Sequence, residues 1–175
     1  MILDLCYWDD PILRKKCRPV EKITDEIKTL IKDMIETMDA KKGVGLAAPQ
    51  VGVDLCLFVM RNTEEGPEGE LVLTNPQVYI NPKITDPSKE LEVMSEGCLS
   101  LPGLHLDIAR PYSITVRALD ENGNSFTENL EGYKARVIMH ENDHINGKLF
   151  FDRISSKLRK KIEPELQRIK KEYGK

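Results

Sequence analysis

The chain has 175 residues, of which 40% are hydrophobic and 31% are charged, and its formal net charge is −3 at pH 7. This balance is typical of a folded globular domain and excludes disordered and fibrous proteins. The length fits one domain over residues 1–175. No apolar run reaches the length of a membrane-spanning helix, so we expect no membrane partner.

The first ten residues, MILDLCYWDD, have no basic residue before their short apolar stretch. This argues against a secretory signal peptide and favours a cytoplasmic location. The four cysteines form no C-x-x-C pair. We therefore expect them to be thiols in a reducing compartment.

Charge is unevenly distributed along the chain. Between residues 153 and 175, nine lysines and arginines stand against three glutamates, so this segment carries +6 and the rest of the chain −9. A basic helical tail on an acidic body indicates an anionic partner such as RNA, and contact with the ribosome is one form of it. The alternative is a solvated helix face, and nothing in the pattern predicts a DNA partner.

The first predicted element is a helix over residues 24–42. Thr24 is predicted to cap its N-terminus and Gly43 to end it. Its apolar residues recur at spacings of three and four, which places them on one face. A loop containing GVGLAAPQVG follows, and then a strand is predicted over residues 53–60.

The middle of the chain is predicted to form short strands. Residues 62–70, NTEEGPEGE, are polar and contain glycine and proline, so we predict a flexible excursion rather than a domain boundary. Strands are then predicted over residues 71–74, 78–81 and 91–94. Residues 112–120 are rich in β-branched side chains, and DENG at 120–123 turns the chain back into residues 124–130, which indicates a hairpin.

Two further helices are predicted in the last third of the chain. The first covers residues 132–146, with Gly147 at its end, and carries the sequence HENDH. The second lies within residues 155–173, where Pro164 predicts either a kink or two pieces with the proline in the first turn of the second. We expect an α+β fold with antiparallel β-sheets packed around a central helix that carries HENDH, plus an N-terminal and a C-terminal helix.

Residues 140–144, HENDH, have the pattern H-E-x-x-H. Residues four apart on a helix share a face, so His140 and His144 can bind one metal ion while Glu141 moves a proton beside it. The chain has three histidines in all, which makes a chance match rare. The alternative, two unrelated histidines on an amphipathic helix, is disfavoured, and His105 is expected to be structural or exposed.

Two histidines leave a metal site incomplete. One class of metalloprotease takes a third histidine downstream, at the place where this chain has Phe150. Glu163 and Glu165 are candidates for a downstream carboxylate ligand, although they lie in a lysine-rich surface pattern. Cys98, in MSEGCLSLPG, is the better candidate, because a thiolate binds zinc or ferrous iron and a Cys-His-His set leaves a fourth position open for water.

With these residues assembled, the chain resembles the peptide deformylases, metalloenzymes that remove the formyl group from N-formylmethionine on new polypeptides. GVGLAAPQ at residues 43–50 is similar to the family's first motif, and EGCLS at residues 96–100 matches its second. HENDH, followed by Gly147, is similar to the third, and DPILR at residues 10–14 resembles the start of the family. The resemblance covers nearly the whole chain in the family's order.

The resemblance implies hydrolysis of the formyl amide to formate and a free amine on formyl-methionyl nascent polypeptides. It implies one divalent metal ion, with Fe²⁺ favoured in the cell and Zn²⁺, Ni²⁺ or Co²⁺ able to occupy the site. The implied ligands are Cys98, His140 and His144. Glu141 is implied as the general base that takes a proton from the metal-activated water and returns it to the amine. Gln50 and the backbone N–H of Leu99 are implied as donors to the oxyanion.

Further residues are assigned to the substrate pocket. Gly43 and Gly45 let the first motif approach the substrate backbone, and the alternative for them is a helix stop and a turn. Val44, Tyr133 and Val137 are assigned to an apolar pocket for the methionine side chain. The alternative for these three is ordinary core packing.

Other residues are expected to support the site from outside it. Glu96 and Arg110 are predicted to pair beneath it and to fix the loop of Cys98. Asp143 either supports a ligand or is a surface carboxylate. Met139 stands where the family usually has glutamine, and because its side chain points away from the histidine face, we expect altered packing rather than altered chemistry.

Two other functions are alternatives from the sequence. A zinc endopeptidase requires Glu163 or Glu165 as a ligand and leaves Cys98 dispensable. A non-catalytic ribosome- or RNA-binding module requires a closed site with four protein ligands, and the motifs offer no fourth.

Overall fold

The computed structural model describes residues 1–174, which form four α-helices and nine strands. The helices are α1 (Asp25–Ala40), α2 (Gly132–Ile145), α3 (Ser156–Lys161) and α4 (Glu163–Tyr173). The strands are β1 (Gly45–Ala47), β2 (Leu57–Met60), β3 (Thr63–Glu65), β4 (Leu71–Leu73), β5 (Gln77–Thr85), β6 (Leu91–Cys98), β7 (Leu101–Pro111), β8 (Ser113–Leu119) and β9 (Ser125–Glu131). Short 3-10 helices cover Pro11–Arg14, Ala48–Val51 and Phe150–Arg153. Within the described residues, no helix has the length and apolar character needed to cross a membrane.

The strands form three antiparallel sheets. The largest has five strands in the order β1-β2-β5-β8-β9, and the pairs β3–β4 and β6–β7 form two-stranded sheets. Every strand pairing in the described chain is antiparallel, and the helices lie outside the sheets. The predicted α+β class with antiparallel sheets is therefore confirmed.

The five-stranded sheet is buried on both faces at its β1–β2 end, whereas β8 and β9 leave one face partly exposed. Along β2, Leu57 and Val59 pack in one apolar cluster with residues of α1, while Phe58 and Met60 pack in another with residues of α2. Side chains alternate between the faces of a strand, so an unbroken apolar run such as LFVM is what a doubly covered strand requires. This end of the sheet is thus held between α1 and α2.

Helix α1 begins as predicted but ends differently. The Thr24 hydroxyl accepts a hydrogen bond from the Ile27 N–H, which confirms the N-cap. The helix ends at Ala40, and the residue in the left-handed conformation is Lys42 (φ 58°) rather than Gly43. The prediction that Gly43 ends the helix was therefore wrong, because Lys42 takes the left-handed conformation instead. The Gly43 N–H still donates to the Met38 carbonyl at 2.9 Å.

Helix α2 is buried along most of its length, with ten of its fourteen residues inside the protein. It packs on β1, β2, β8 and β9. Gly147 (φ 73°) follows the helix, and a Cβ there would lie 2.6 Å from the Arg14 carbonyl oxygen. The glycine therefore lets the end of α2 sit against the 3-10 helix Pro11–Arg14.

The C-terminal helix forms two pieces, which confirms one of the two predicted alternatives, a kink at Pro164 being the other. Pro164 lies in the first turn of α4, directly after the break at Ile162. Leu166 and Ile169 of α4 are fully buried, and the Trp8 indole N–H donates to the Leu166 carbonyl at 2.9 Å. The basic C-terminal segment therefore packs into the core through α4. Lys175, the last residue assigned to this segment from the sequence, lies outside the described residues.

Several strand predictions need correction. The predicted strand over 53–60 begins at Leu57, and β5 and β6 are longer than predicted. β5 continues past Pro82 because the ladder is irregular between Ile80 and Lys83, which accommodates a residue without an N–H. The segment 62–70 is not wholly irregular, since β3 forms within it and pairs with β4.

Candidate metal centre

Three potential ligand atoms from two distant segments converge in one place. The Sγ of Cys98 and one ring nitrogen each of His140 and His144 all lie within 4.8 Å of one another. Cys98 ends β6, where the register with β7 shifts, and both histidines project from one face of α2. The Cys98 Sγ lies 3.3 Å from the Nε2 of His144.

Glu96 orients the first of these histidines. Its Oε1 lies 2.8 Å from the Nδ1 of His140, so an N–H at Nδ1 donates to the carboxylate and Nε2 is left as the nitrogen that can bind a metal. Burial opposes ionisation of Glu96, but its hydrogen bonds from His140 and Arg110 outweigh burial and lower its pKa to about 2. Glu96 is therefore a charged acceptor at neutral pH.

A buried network of charges lies beneath the ligands. Arg110, 1% exposed, donates to both oxygens of Glu96 at 2.6 and 2.9 Å and to Asp143 at 2.9 Å. Arg136 donates to Glu96 at 2.5 Å, and Arg153 donates to both oxygens of Asp143 at 2.6 and 2.5 Å. The predicted contact between Glu96 and Arg110 is present, and Asp143 is a buried member of the network rather than a surface carboxylate.

Two arginines of this network were missed from the sequence. Arg136 lies one turn before His140 on α2, so helical spacing could have placed it on the same side. Arg153 is outside the helix, and no sequence pattern connects it to Asp143. Besides burial, which acts the other way, the Arg153 and Arg110 guanidinium groups hold the pKa of Asp143 below its usual value.

In the described chain no guanidinium group donates a hydrogen bond to Glu141, and the charges of His140 and Arg110 offset its burial only in part. It is 4% exposed, and within residues 1–174 its Oε2 has no hydrogen-bond partner. Burial raises its pKa to about 7. Its Oε1 lies so close to Gly45 that a Cβ on that residue would be 2.7 Å away. The carboxylate is thus fixed at the wall of a cavity and is able to exchange a proton near neutral pH.

Gln50 is held by contacts at both ends of its amide. Its Oε1 accepts from the Ala47 N–H at 2.9 Å, and its Nε2 donates to the Ser100 hydroxyl at 3.1 Å and approaches the Cys98 Sγ at 3.6 Å. Leu99 and Ser100 form the short turn between β6 and β7. Ser100, which sequence analysis did not single out, therefore fixes which way the Gln50 amide points.

These groups line one cavity of about 530 Å³. The lining includes every residue assigned to the substrate pocket from the sequence: Gly43, Val44, Gly45, Tyr133 and Val137. Gln50, Cys98, Leu99, His140 and Glu141 also line it. His105 is exposed, in agreement with the prediction, and its ring contributes to the mouth of this cavity beside Gly97.

Three side chains considered in the sequence lie elsewhere. Met139 packs in the apolar cluster that contains Phe58 and does not line the cavity, as its helical position predicts. Glu163 bonds to Arg159 and Gln167, and Glu165 bonds to Arg168, all on the C-terminal helices. Neither glutamate belongs to the ligand cluster, so the endopeptidase hypothesis lacks its metal site among the described residues.

Comparison with known proteins identifies the family. Residues 2–160 match the family model described as polypeptide deformylase. This chain belongs to the polypeptide deformylase family. The peptide deformylase of Borreliella burgdorferi is 43% identical over 160 residues, which cover 91% of this chain and 92% of that protein. Peptide deformylase 1 of Clostridium perfringens is 48% identical over 151 residues, which cover 86% and 97% respectively.

Solved structures agree with this membership. The crystal structure of the peptide deformylase from Ehrlichia chaffeensis gives a TM-score of 0.88 at 39% identity and covers 98% of this chain and 97% of that chain. The Thermotoga maritima peptide deformylase gives 0.79 at 43% identity and covers 89% and 99%. The chain is therefore an enzyme of the deformylase type, and the two alternative functions are not supported.

The residues present fit the metal ion on which this family depends. One thiol and two imidazoles form a donor set suited to a catalytic zinc or ferrous ion, because it leaves a coordination position open. His140 presents Nε2 to the cluster because Glu96 occupies its Nδ1. His144 presents Nε2 to the Cys98 Sγ at 3.3 Å. Both imidazoles are thus oriented for a shared ion.

Proposed function

We propose that this enzyme hydrolyses the formyl amide of formyl-methionyl nascent polypeptides with Cys98, His140 and His144 as the ligands of one divalent metal ion. The observation that carries this assignment is the buried carboxylate of Glu141, whose Oε2 has no hydrogen-bond partner among residues 1–174 and which lines the same cavity as Cys98 and His140. A water molecule is the co-substrate. The products are formate and a free amine.

When bound, the metal ion polarises the formyl carbonyl and lowers the pKa of water from 15.7 to about 7. Glu141 accepts a proton from the attacking water, and its pKa of about 7 suits that task. The same carboxyl then returns the proton to the departing amine nitrogen as the carbon–nitrogen bond breaks. Because a protonated amine leaves far more easily than an amide anion, one residue serves both steps.

The Gln50 amide and the backbone N–H of Leu99 donate to the oxygen that gains negative charge. Support for Gln50 comes from the contacts with Ala47 and Ser100 that fix its amide before substrate arrives. Loss of one such preorganised donor costs about 10²–10³ in rate in other hydrolases. The Gln50 amide is thus positioned without reorganisation during the reaction.

The remaining assigned residues bind substrate or position the ligands. Val44, Tyr133 and Val137 hold the methionine side chain, and Gly43 and Gly45 let the substrate backbone approach; their common place in the cavity wall supports this. Glu96, held by Arg110 and Arg136, positions the His140 ring. We assign α2 as the central helix of one catalytic domain over residues 1–175, because most of α2 is buried.

Formate release from a short formyl-methionyl peptide tests the function, with casein digestion as the test for an endopeptidase. Glu141→Gln should keep one metal ion per chain and lose about 10²–10⁴ in kcat, the usual contribution of acid–base catalysis. Cys98→Ala should lose the metal, whereas Glu163→Ala, on the exposed surface, should keep both metal and activity. Full activity in Cys98→Ala would contradict the ligand assignment.

For the metal itself we assign Fe²⁺ in the cell, since thiolate and imidazole donors suit ferrous iron as well as zinc. Zn²⁺, Ni²⁺ and Co²⁺ would occupy the same ligands. An iron–thiolate site should lose activity in air. Iron-loaded enzyme prepared without oxygen should therefore be inactivated by air or peroxide while nickel-loaded enzyme survives, and equal survival of both would contradict the assignment of iron.

Contact with the ribosome in the cytoplasm is proposed for the basic C-terminal segment. Deleting α3 and α4 would be a poor test, because Leu166 and Ile169 are buried in the core. The exposed lysines of α3 and α4 are better targets. Four of them are changed to glutamine together: Lys160, Lys161, Lys170 and Lys171. Ribosome binding should weaken and become less dependent on salt, whereas peptide turnover should not change.

The control removes the same number of exposed lysines from the rest of the chain: Lys22, Lys28, Lys32 and Lys89. This variant has the same net charge as the tail variant. A difference in ribosome binding between the two variants therefore depends on where the lost charges lie and not on how many are lost. Equal ribosome binding by wild type and the tail variant, or equal loss in both variants, would refute the contact.

A further inference from the structure

One end of the substrate cavity carries two lysines that the proposed chemistry does not use. Lys41 and Lys42 follow α1 and line the cavity beside Gly43. Backbone hydrogen bonds from the Lys41 N–H to the Thr37 carbonyl at 3.0 Å and from the Lys42 N–H to the Asp39 carbonyl at 3.1 Å fix this turn. The two ammonium groups are therefore carried by an ordered turn at the rim.

Neither lysine is neutralised by the protein. Within residues 1–174, no ion pair involves Lys41 or Lys42, and both are exposed. The nearest carboxylate in sequence, Asp39, is held by two hydrogen bonds of 2.8 Å from Arg61. The acidic residues of the cavity wall, Glu96 and Glu141, are buried behind it. The rim thus presents positive charge on a chain whose net charge is −3.

An extended substrate that lies along the edge strand β1 would pass these lysines. β1 is an edge strand of the five-stranded sheet, and Gly45 at its start lines the cavity next to Glu141. From Gly45 the chain runs along β1 to buried residues in one direction, and outside the strand to the exposed Lys42 and Lys41 in the other. Lys42 is three residues from Gly45, so it lies at most about 10 Å away along the chain.

That distance corresponds to about two or three residues of extended substrate. With the formyl carbonyl at Glu141, the methionine occupies the cavity, and the side chain of the second or third residue after methionine reaches the lysines. A carboxylate at that place would meet two unpaired ammonium groups. A lysine or arginine there would meet like charge.

We propose that Lys41 and Lys42 make this enzyme prefer formyl-methionyl chains that carry aspartate or glutamate at the second or third residue after methionine. The proposal rests on the deformylase activity proposed above and adds a specificity to it. Because the lysines lie away from the reacting carbonyl, the charge contact is made equally in the ground and transition states. The preference should therefore show in KM and leave kcat unchanged.

The test uses amidated formyl-Met-Ala-Ala-Ala-Ala peptides in which one alanine is replaced by aspartate or its isostere asparagine. Amidation removes the terminal carboxylate, so the side chain is the sole source of negative charge. For the metal-loaded wild type, kcat/KM from formate release should be about three- to five-fold higher for aspartate than for asparagine at the second or third residue, the range expected for exposed charge pairs. The ratio should fall towards one in 0.5 M salt.

Lys41→Gln with Lys42→Gln should abolish the ratio, and Lys41→Glu with Lys42→Glu should reverse it in favour of lysine-bearing peptides. The matched control, Lys28→Gln with Lys32→Gln, removes the same charge from exposed positions of α1 that do not line the cavity, and should keep the ratio. A wild-type ratio of one, or a ratio that survives in the Lys41/Lys42 variants, would overturn the proposal. Absence of formate from every peptide would instead refute the deformylase assignment itself.

Discussion

Replacing Gly45 with alanine should lower the rate of catalysis while the enzyme still folds and binds its metal ion. A Cβ at this position would lie 2.7 Å from the Oε1 of Glu141 and 3.0 Å from its Cδ and Cγ. Ordinary contacts between such atoms begin near 3.4 Å, so the carboxylate must move by about 0.7 Å. Displacement of a reacting group by about 1 Å can cost about 100-fold in rate, which corresponds to about 2.7 kcal/mol in activation free energy.

Gly45→Ala should therefore lower kcat for formate release by about 100-fold. The metal content should stay unchanged, because Gly45 contributes none of the three ligand atoms. Gly66→Ala is the matched control, since its Cβ would also meet a carboxylate oxygen, that of Glu70, which is exposed, can rotate away and lies outside the cavity. Its kcat should fall by less than about five-fold. If Gly45→Ala kept more than a third of the wild-type kcat with normal metal content, the position assigned to the base would be wrong.

Two further changes test what holds the site and the tail in place. Arg110→Met should lower the free energy of unfolding by about 3 kcal/mol and the Tm by about 6–12 °C, because removing one partner of a buried ion pair leaves charge uncompensated. Arg153→Met should cost clearly less, since the Arg153 side chain is 39% exposed, and equal Tm losses would contradict the argument from burial. Trp8→Phe should cost about 1 kcal/mol in thermal unfolding by removing the indole bond to the Leu166 carbonyl, which keeps its helical donor in α4, and an unchanged Tm would show that this bond does not secure α4.

The helices could be predicted from the sequence better than the strands. α1 has local causes in its apolar stripe and its threonine cap, and α2 has one in Gly147 after its end. β7 was missed although Leu104, Leu106 and Ile108 alternate with exposed residues, because Pro102 and Gly103 at its start resemble a loop. Strand lengths were also wrong, since the extent of β5 and β6 depends on partners that lie far along the chain.

In the candidate site, too, the residues that depend on local sequence could be predicted better than the contacts between distant segments. His140, Glu141 and His144 follow from helical spacing alone. Cys98 was preferred as the third ligand because of its thiolate chemistry, and the resemblance to a family then agreed with that choice. No rule of spacing joins it to residues more than forty positions away, so Glu163 and Glu165 remained alternatives. The ion pairs of Glu96 depend on how β6, β7 and α2 pack together, so sequence patterns indicated one partner, Arg110, and missed Arg136.

The arrangement of α2 explains why the acids of one short segment behave differently. Successive residues of a helix point about 100° apart, so α2 carries two neighbouring stripes. Arg136 and Asp143 lie on the stripe that faces the buried arginines and carboxylates. Val137 and Glu141 lie on the stripe that faces the cavity. The carboxylate of Asp143 accepts hydrogen bonds from two guanidinium groups and stays charged. Among the described residues, no guanidinium group lies within hydrogen-bond distance of the Glu141 carboxylate, and burial raises its pKa to about 7. Two acids separated by half a turn thus differ in pKa because the fold places two guanidinium groups within hydrogen-bond distance of Asp143, whereas Glu141 faces the cavity.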